Sequence, residues 1–299
     1  MIMMKSLLRV AGAIALLLAV YFLLQVLSLN VSITVAALMN GFPLEDLESL
    51  QDALFLKDNP AIASWVVNAE AVGLFLSSLV MLVFLHFTGY YRLRLSLLRS
   101  LAPRPLFLST LLVFTSMFAL NIFVQWFPLK DNLSDVFSGL SRNPLGIFTL
   151  AFLAPLLEEV FFRGAIQGVL MRFFGRPWPA IIVAALVFGI IHWNPVQVVY
   201  ATLFGLVLGW IYYRTGSLLS VIVGHVLNNS LAVMTTVAFS TADEQAVANS
   251  STGIAGFVFF AALSVFLAVK LKAASKREQS TSLLDAMPSG SRFKRTKCD

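Results

Sequence analysis

Charge is scarce in this chain. Asp, Glu, Lys and Arg together make up 12% of its 299 residues, roughly half the share usual in a soluble globular protein. That figure excludes a water-soluble enzyme, and with it a soluble nucleic-acid binder. Cysteine is nearly missing as well: the one copy, Cys298, lies in the C-terminal tail, so no intrachain disulfide, redox pair or cysteine metal centre can form. What fills the space is hydrophobic, at 59% of the chain.

The apolar residues fall into runs of membrane-spanning length, which is about 20 residues. The first follows Lys5 and Arg9 and continues to about Leu38, interrupted only by Gln25 and Asn30. It resembles a signal peptide at its start, but no soluble chain follows it, so it reads as an uncleaved span. Further runs lie at about 62–88, 105–127, 144–170, 179–193, 196–213, 217–238 and 253–271, giving eight. Runs five and six are short and are divided at His192-Trp193-Asn194-Pro195, where the proline favours a break.

The loops carry an orientation signal. With both ends on the inner side, that side holds Lys5, Arg9, Arg92, Arg94, Arg99, Arg104, Arg172, Arg176, Arg214 and eight residues from Lys270 onward, 17 of the 21 basic residues. Cytoplasmic loops show this bias. The opposite side has Lys57, Lys130 and Arg142 against nine acids, namely Glu45, Asp46, Glu48, Asp52, Asp58, Asp131, Asp135, Asp243 and Glu244. The net charge of +6 is therefore topology and not a nucleic-acid footprint. The expected fold is all-α and polytopic, with about eight transmembrane helices and cytoplasmic N- and C-termini. It divides into a three-span N-terminal region (1–143), a four-span core (144–238), a last span (239–272) and a basic tail (273–299) expected to be disordered and drawn to anionic lipid. Compact loops and a short tail place it in a bacterial inner membrane.

Once the loops are assigned, few ionisable residues remain inside the spans: Glu70, His86, Glu158, Glu159, Arg163, His192 and His225. Each costs about 2.5–3.5 kcal/mol at mid-span, so each needs a reason. Glu70 and His86 lie near the ends of span two, where snorkelling or capping suffices. Glu159 and Arg163 are i and i+4 with the acid first, the orientation of a same-face ion pair. Glu158 points about 100° away and has no partner on its own helix. Phe188 and His192 share a face of span five, as His225 and Asn229 do in span seven. At about 1.5 Å per residue, Glu158 and His192 lie about 20 Å in, Asn229 about 18 Å and His225 about 12 Å, so the four can share a layer.

Two chemistries suit such a layer. Glu158, His192 and His225 could hold a zinc ion with a water in the fourth position. Without metal, Glu158 helped by His192 could deprotonate water while His225 and Asn229 donate to an oxyanion. Either route hydrolyses an amide. The chain has no His-Glu-x-x-His, no Gly-x-Ser-x-Gly and no mid-span Ser/Lys dyad, which disfavours a one-helix metal site and a covalent mechanism. Gly164-x-x-x-Gly168 and Gly205-x-x-x-Gly209 permit close helix approach, read here as internal packing.

At these residues the chain resembles the CPBP intramembrane protease family, which includes type II CAAX prenyl endopeptidases and the bacterial Abi and lysostaphin-resistance-like proteins. Its patterns Glu-Glu-x-x-x-Arg, Phe-x-x-x-His and His-x-x-x-Asn occur as Glu158-Glu159 to Arg163, Phe188 to His192, and His225 to Asn229. The resemblance covers about residues 144–238. It implies an all-helical membrane fold and endopeptidase cleavage near the C-terminus of a membrane-associated protein or peptide. Glu158 would activate water, His192 would assist it or bind metal, and His225 and Asn229 would complete the site. Glu159, Arg163 and Phe188 would support it. The family is called a metalloprotease family, although a metal-free glutamate mechanism is also argued for related enzymes, and both stay open here. Two other readings compete: a catalytically silent scaffold or bacteriocin-immunity protein of the same fold, and a transporter. The lone Glu158 argues against the first, and the lack of a polar counterpart in the N-terminal half against the second.

Overall fold

A computed structural model describes residues 2–41, 60–89, 102–238 and 248–275. Among them every regular element is helical: α1 (Ile2–Met39), α2 (Pro60–Phe87), α3 (Pro103–Gln125), the short α4 (Ser134–Leu140), α5 (Pro144–Phe174), α6 (Pro177–Ile190), α7 (Pro195–Thr215), α8 (Leu218–Ala238) and α9 (Ser251–Ala274). Seven are long and apolar enough to cross a membrane, and α6 is a shorter apolar helix. These are the eight apolar segments expected, and the chain is a multi-pass membrane protein. The loop charges at Arg92, Arg94, Arg99, Glu45, Asp46, Glu48, Asp52, Lys57, Asp58, Asp243 and Glu244 lie outside the described residues, as does the tail from Lys276 with Cys298.

Local chemistry sets the helix ends. Helices α5, α6 and α7 each open with a proline in the first turn, where its missing N–H is no loss. Helices α5 and α7 stop at Gly175 (φ 62°) and Gly216 (φ 66°), left-handed positions that glycine adopts without a Cβ penalty. The connections are therefore tight. Asn143 caps α5, its side-chain oxygen accepting from the Gly146 N–H at 2.9 Å, and its amide nitrogen donates to Asn68 of α2 at 2.6 Å.

Helix α5 is the hub, with α1, α2, α6, α7 and α8 packed around it. Helices α1 and α2 pair on one flank; on another, α3 pairs with α9 and packs on α7 and α8. One core draws on both halves, from Leu17 and Met81 through Val113, Phe161, Phe188 and Phe204 to Val221 and Leu267. The outward faces of α1 and α9 are apolar and exposed, for example Leu16, Leu23 and Leu27, and Val258, Phe259 and Phe266, as lipid-facing helices require. Gly205 lies so near α6 that a Cβ there would meet Phe188 and Ala185 at 3.1–3.2 Å, which accords with reading its glycine pair as packing.

Helix α6 ends at Ile190, earlier than the run to 193 suggests. His192 therefore sits in the following turn and not on the helix itself. The cause is Pro195, which drives Asn194 into an extended conformation (φ −113°, ψ 118°), with Trp193 left at φ 54°. Fourteen residues rise about 21 Å, less than the ~30 Å hydrocarbon core. A turn at that depth needs internal partners, and it has them. Asn194, 0% exposed, donates to Asp131 at 2.9 Å and accepts from the Asn132 N–H at 3.1 Å, so the loop before α4 folds onto the turn carrying His192.

Candidate intramembrane active site

Two stretches of α5 are wound as π-helix, Thr149–Leu153 and Glu159–Gln167. Insertions of this kind recur at functional sites because they re-aim side chains. All nine residues of the second stretch are buried, so the polar ones among them must find partners in the protein. Arg163 Nη1 donates to Glu159 Oε1 at 3.0 Å, the ion pair expected from the i, i+4 spacing. The guanidinium also lies 4.6 Å from the centre of the Phe188 ring and donates to the Gly205 carbonyl at 3.4 Å. Gln167, one step further along the same face, donates to the Gly209 carbonyl at 2.9 Å. Sequence reasoning missed Gln167, although its i+4 spacing from Arg163 is a readable signal.

His225 of α8 joins the two acids. Its Nδ1–H donates to Glu159 Oε1 at 2.7 Å, and its Nε2 faces Glu158 Oε2 at 3.5 Å, long for a direct hydrogen bond. Glu159 thus differs from its expected part as Arg163's partner alone: it accepts from both Arg163 and His225 and fixes which imidazole nitrogen is turned toward Glu158. Glu159 is 0% exposed, while the Glu158 side chain retains 14% exposure. Tyr21 of α1, hydrogen-bonded to Gln25, lies within electrostatic range of Glu158. That pair was legible only as an i, i+4 polar couple in an apolar span.

Phe188 stands between the histidines. Its ring meets His192 edge-on at 5.0 Å and His225 at 5.9 Å. His192 Nδ1–H donates to the Phe188 carbonyl at 2.7 Å, which leaves Nε2 as the acceptor nitrogen. Among the described residues His192 makes no hydrogen bond to Glu158 or His225. Asn229 Nδ2 donates to the Leu150 carbonyl at 3.0 Å. That carbonyl is free for a local reason: the Ala154 N–H already bonds Thr149, and the next donor in π register would be Pro155, which has none. Glu70 and His86 lie on α2; His86 is exposed in its last turn, as a residue near a span end should be.

Among the described residues no three His, Cys, Asp or Glu side chains converge so as to hold a metal ion. Glu158, His192 and His225 are therefore not gathered as a ligand set in this structure, and both imidazoles have Nδ1 engaged elsewhere. What the arrangement offers is a carboxylate with some access, beside an imidazole oriented by a second, buried carboxylate. This is the logic of a hydrolytic triad without its nucleophilic hydroxyl.

Neither a curated protein nor a solved structure matches the chain. A family model described as type II CAAX prenyl endopeptidase Rce1-like matches residues 140–231, a stretch that contains Glu158, Glu159, Arg163, Phe188, His192, His225 and Asn229. With its apolar helices and this polar layer, the protein is a multi-pass membrane protein whose residues 140–231 are similar to the type II CAAX prenyl endopeptidase, Rce1-like family, a family of proteases.

Proposed function

We propose that this protein is an intramembrane endopeptidase that hydrolyses a peptide bond of a lipidated, membrane-associated protein or peptide with water activated by Glu158. The observation that carries this reading is the His225 ring set between two carboxylates, Nδ1 on Glu159 and Nε2 toward Glu158. In the proposed step Glu158 takes a proton from water, and a doubly protonated His225, its Nδ1–H held by Glu159, donates its Nε2–H to the oxyanion.

The steps balance simply. Water oxygen attacks the scissile carbonyl as its proton passes to Glu158, and the tetrahedral oxyanion accepts from His225 and from the second N–H of Asn229. Glu158 returns the proton to the departing amine as the C–N bond breaks. His192, whose Nε2 keeps its lone pair, holds the attacking water. Glu159 and Arg163 orient His225. Among the described residues Glu158, His192 and His225 do not converge on a metal position, so the proton transfers fall to these side chains themselves.

The substrate class draws on the family description and on an apolar cavity of ≈ 330 Å³ between α1, α5 and α6, lined by Leu7, Ile14, Leu18, Leu170, Phe173 and Val183 among others. Leu18 is about one helical turn from Tyr21, so hydrocarbon held there lies on the Glu158 side of α1. The test is cleavage of an isoprenylated peptide with a CAAX ending in detergent micelles, beside the same peptide without lipid. The lipidated peptide is expected to be cut at least about tenfold faster, as about 1.4 kcal/mol of buried hydrocarbon would give, and zinc chelation to leave the rate unchanged. Equal rates for the two peptides would remove the lipid requirement; loss on chelation, restored by zinc, would replace the metal-free step.

A further inference from the structure

A chain of hydrogen bonds enters the site from α7. Tyr200 donates its hydroxyl hydrogen to Asn228 Oδ1 at 2.6 Å, Asn228 Nδ2 donates to Asn229 Oδ1 at 3.0 Å, and Asn229 Nδ2 donates to the Leu150 carbonyl at 3.0 Å. Its direction is fixed by the last acceptor. A carbonyl only accepts, so Asn229 must turn its NH₂ to Leu150 and its oxygen to Asn228. Asn228 must then turn its NH₂ to Asn229 and its own oxygen to Tyr200, which must donate. Remove that hydroxyl and Asn228 Oδ1 loses its donor, so the amide that donates to Asn229 is held from one side only.

The same tyrosine backs the other oxyanion donor. Its ring stacks on Phe204 at 5.7 Å with 25° between planes, and Phe204 meets the His225 ring edge-on at 5.4 Å. One residue outside every motif therefore reaches both His225 and Asn229.

We propose that Tyr200 and Asn228 are positioning residues of the hydrolytic site, holding the Asn229 amide with its NH₂ toward α5 and, through Phe204, holding His225 in place. The proposal rests on the reading of Asn229 as an oxyanion donor. Neither residue touches substrate; they act through Asn229 and His225. The hydroxyl, and not the ring alone, is needed at position 200 because it is the donor that anchors the Asn228 amide.

The test uses the full-length protein in micelles with the isoprenylated peptide, comparing Tyr200→Phe, Asn228→Asp and Asn229→Ala. Tyr200→Phe is expected to lower kcat by about tenfold or more while KM stays within about twofold, since small misplacements act on the transition state. Asn228→Asp, which cannot donate to Asn229, is expected to lose at least as much. A second measurement needs no turnover: the side-chain amide resonance of Asn229, identified in ¹⁵N-asparagine-labelled protein by its loss in Asn229→Ala, should shift in Tyr200→Phe while that of Asn68 stays in place. An unmoved Asn229 resonance, or unchanged kcat in Tyr200→Phe where Asn229→Ala is slow, overturns the proposal. Wild-type kcat in Asn229→Ala overturns instead the reading of Asn229 on which it rests.

Discussion

Replacing Glu158 with glutamine is expected to lower kcat by about 10³-fold, within the range that positioned general bases supply, while leaving thermal stability near that of the wild type. The two halves of this expectation have separate causes. Glutamine keeps the shape of the side chain but cannot accept a proton from water. The fold loses little, because among the described residues Glu158 faces His225 at 3.5 Å, long for a direct hydrogen bond, and its side chain retains some exposure. The neighbouring Glu159→Gln should behave differently, losing stability along with activity, since Glu159 is fully buried and accepts from two donors. Peptide cleavage and thermal unfolding of both variants in the same detergent separate the roles; equal losses of stability would merge them.

Arg163→Met is expected to destabilise the protein by about 3–5 kcal/mol, the usual penalty for leaving a buried charge without its partner. Among the described residues the Glu159 carboxylate would retain only His225, and its Oε2 has no hydrogen-bond partner there already. The substitution also removes the cation from the Phe188 ring and a donor from the Gly205 carbonyl. The diagnostic variant is the double substitution Glu159→Gln with Arg163→Met, which should regain most of the stability and none of the activity, because a neutral amide no longer needs the guanidinium yet cannot hold His225 as a carboxylate does. Tryptophan fluorescence against temperature reads this directly. Wild-type stability in Arg163→Met would show that the buried Glu159 carboxylate does not depend on its guanidinium partner.

The sequence made legible what helical periodicity and charge cost can reach. The i, i+4 spacing of Glu159 and Arg163 foretold their ion pair, and the insertion cost of charge singled out Glu158, His192 and His225. Pro195 located the break between α6 and α7. What could not be read was three-dimensional aim. The π-helical stretches of α5 depend on the packing around them, and they place Glu158 and Glu159 so that one imidazole addresses both. The partner of Asn229 follows from a carbonyl freed by Pro155, a vacancy visible only once the backbone register is known. His192 sits past the end of its helix and caps it through the Phe188 carbonyl, so a shared helical face was the wrong picture even though the two residues are neighbours. Tyr21, Tyr200 and Gln167 escaped notice because single polar residues on apolar helices look alike until their neighbours are known.

In the proposed mechanism water, activated by Glu158, attacks the peptide bond directly. A single turnover of the isoprenylated peptide by excess protein in H₂¹⁸O tests it, with mass spectrometry of both the product and the Glu158 peptide. One ¹⁸O is expected in the newly formed carboxylate of the product and none in Glu158, with no product from Glu158→Gln on the same timescale. Label in the Glu158 side chain would reveal an acyl-enzyme anhydride, and an undiminished product yield from Glu158→Gln would contradict the role of the carboxylate altogether.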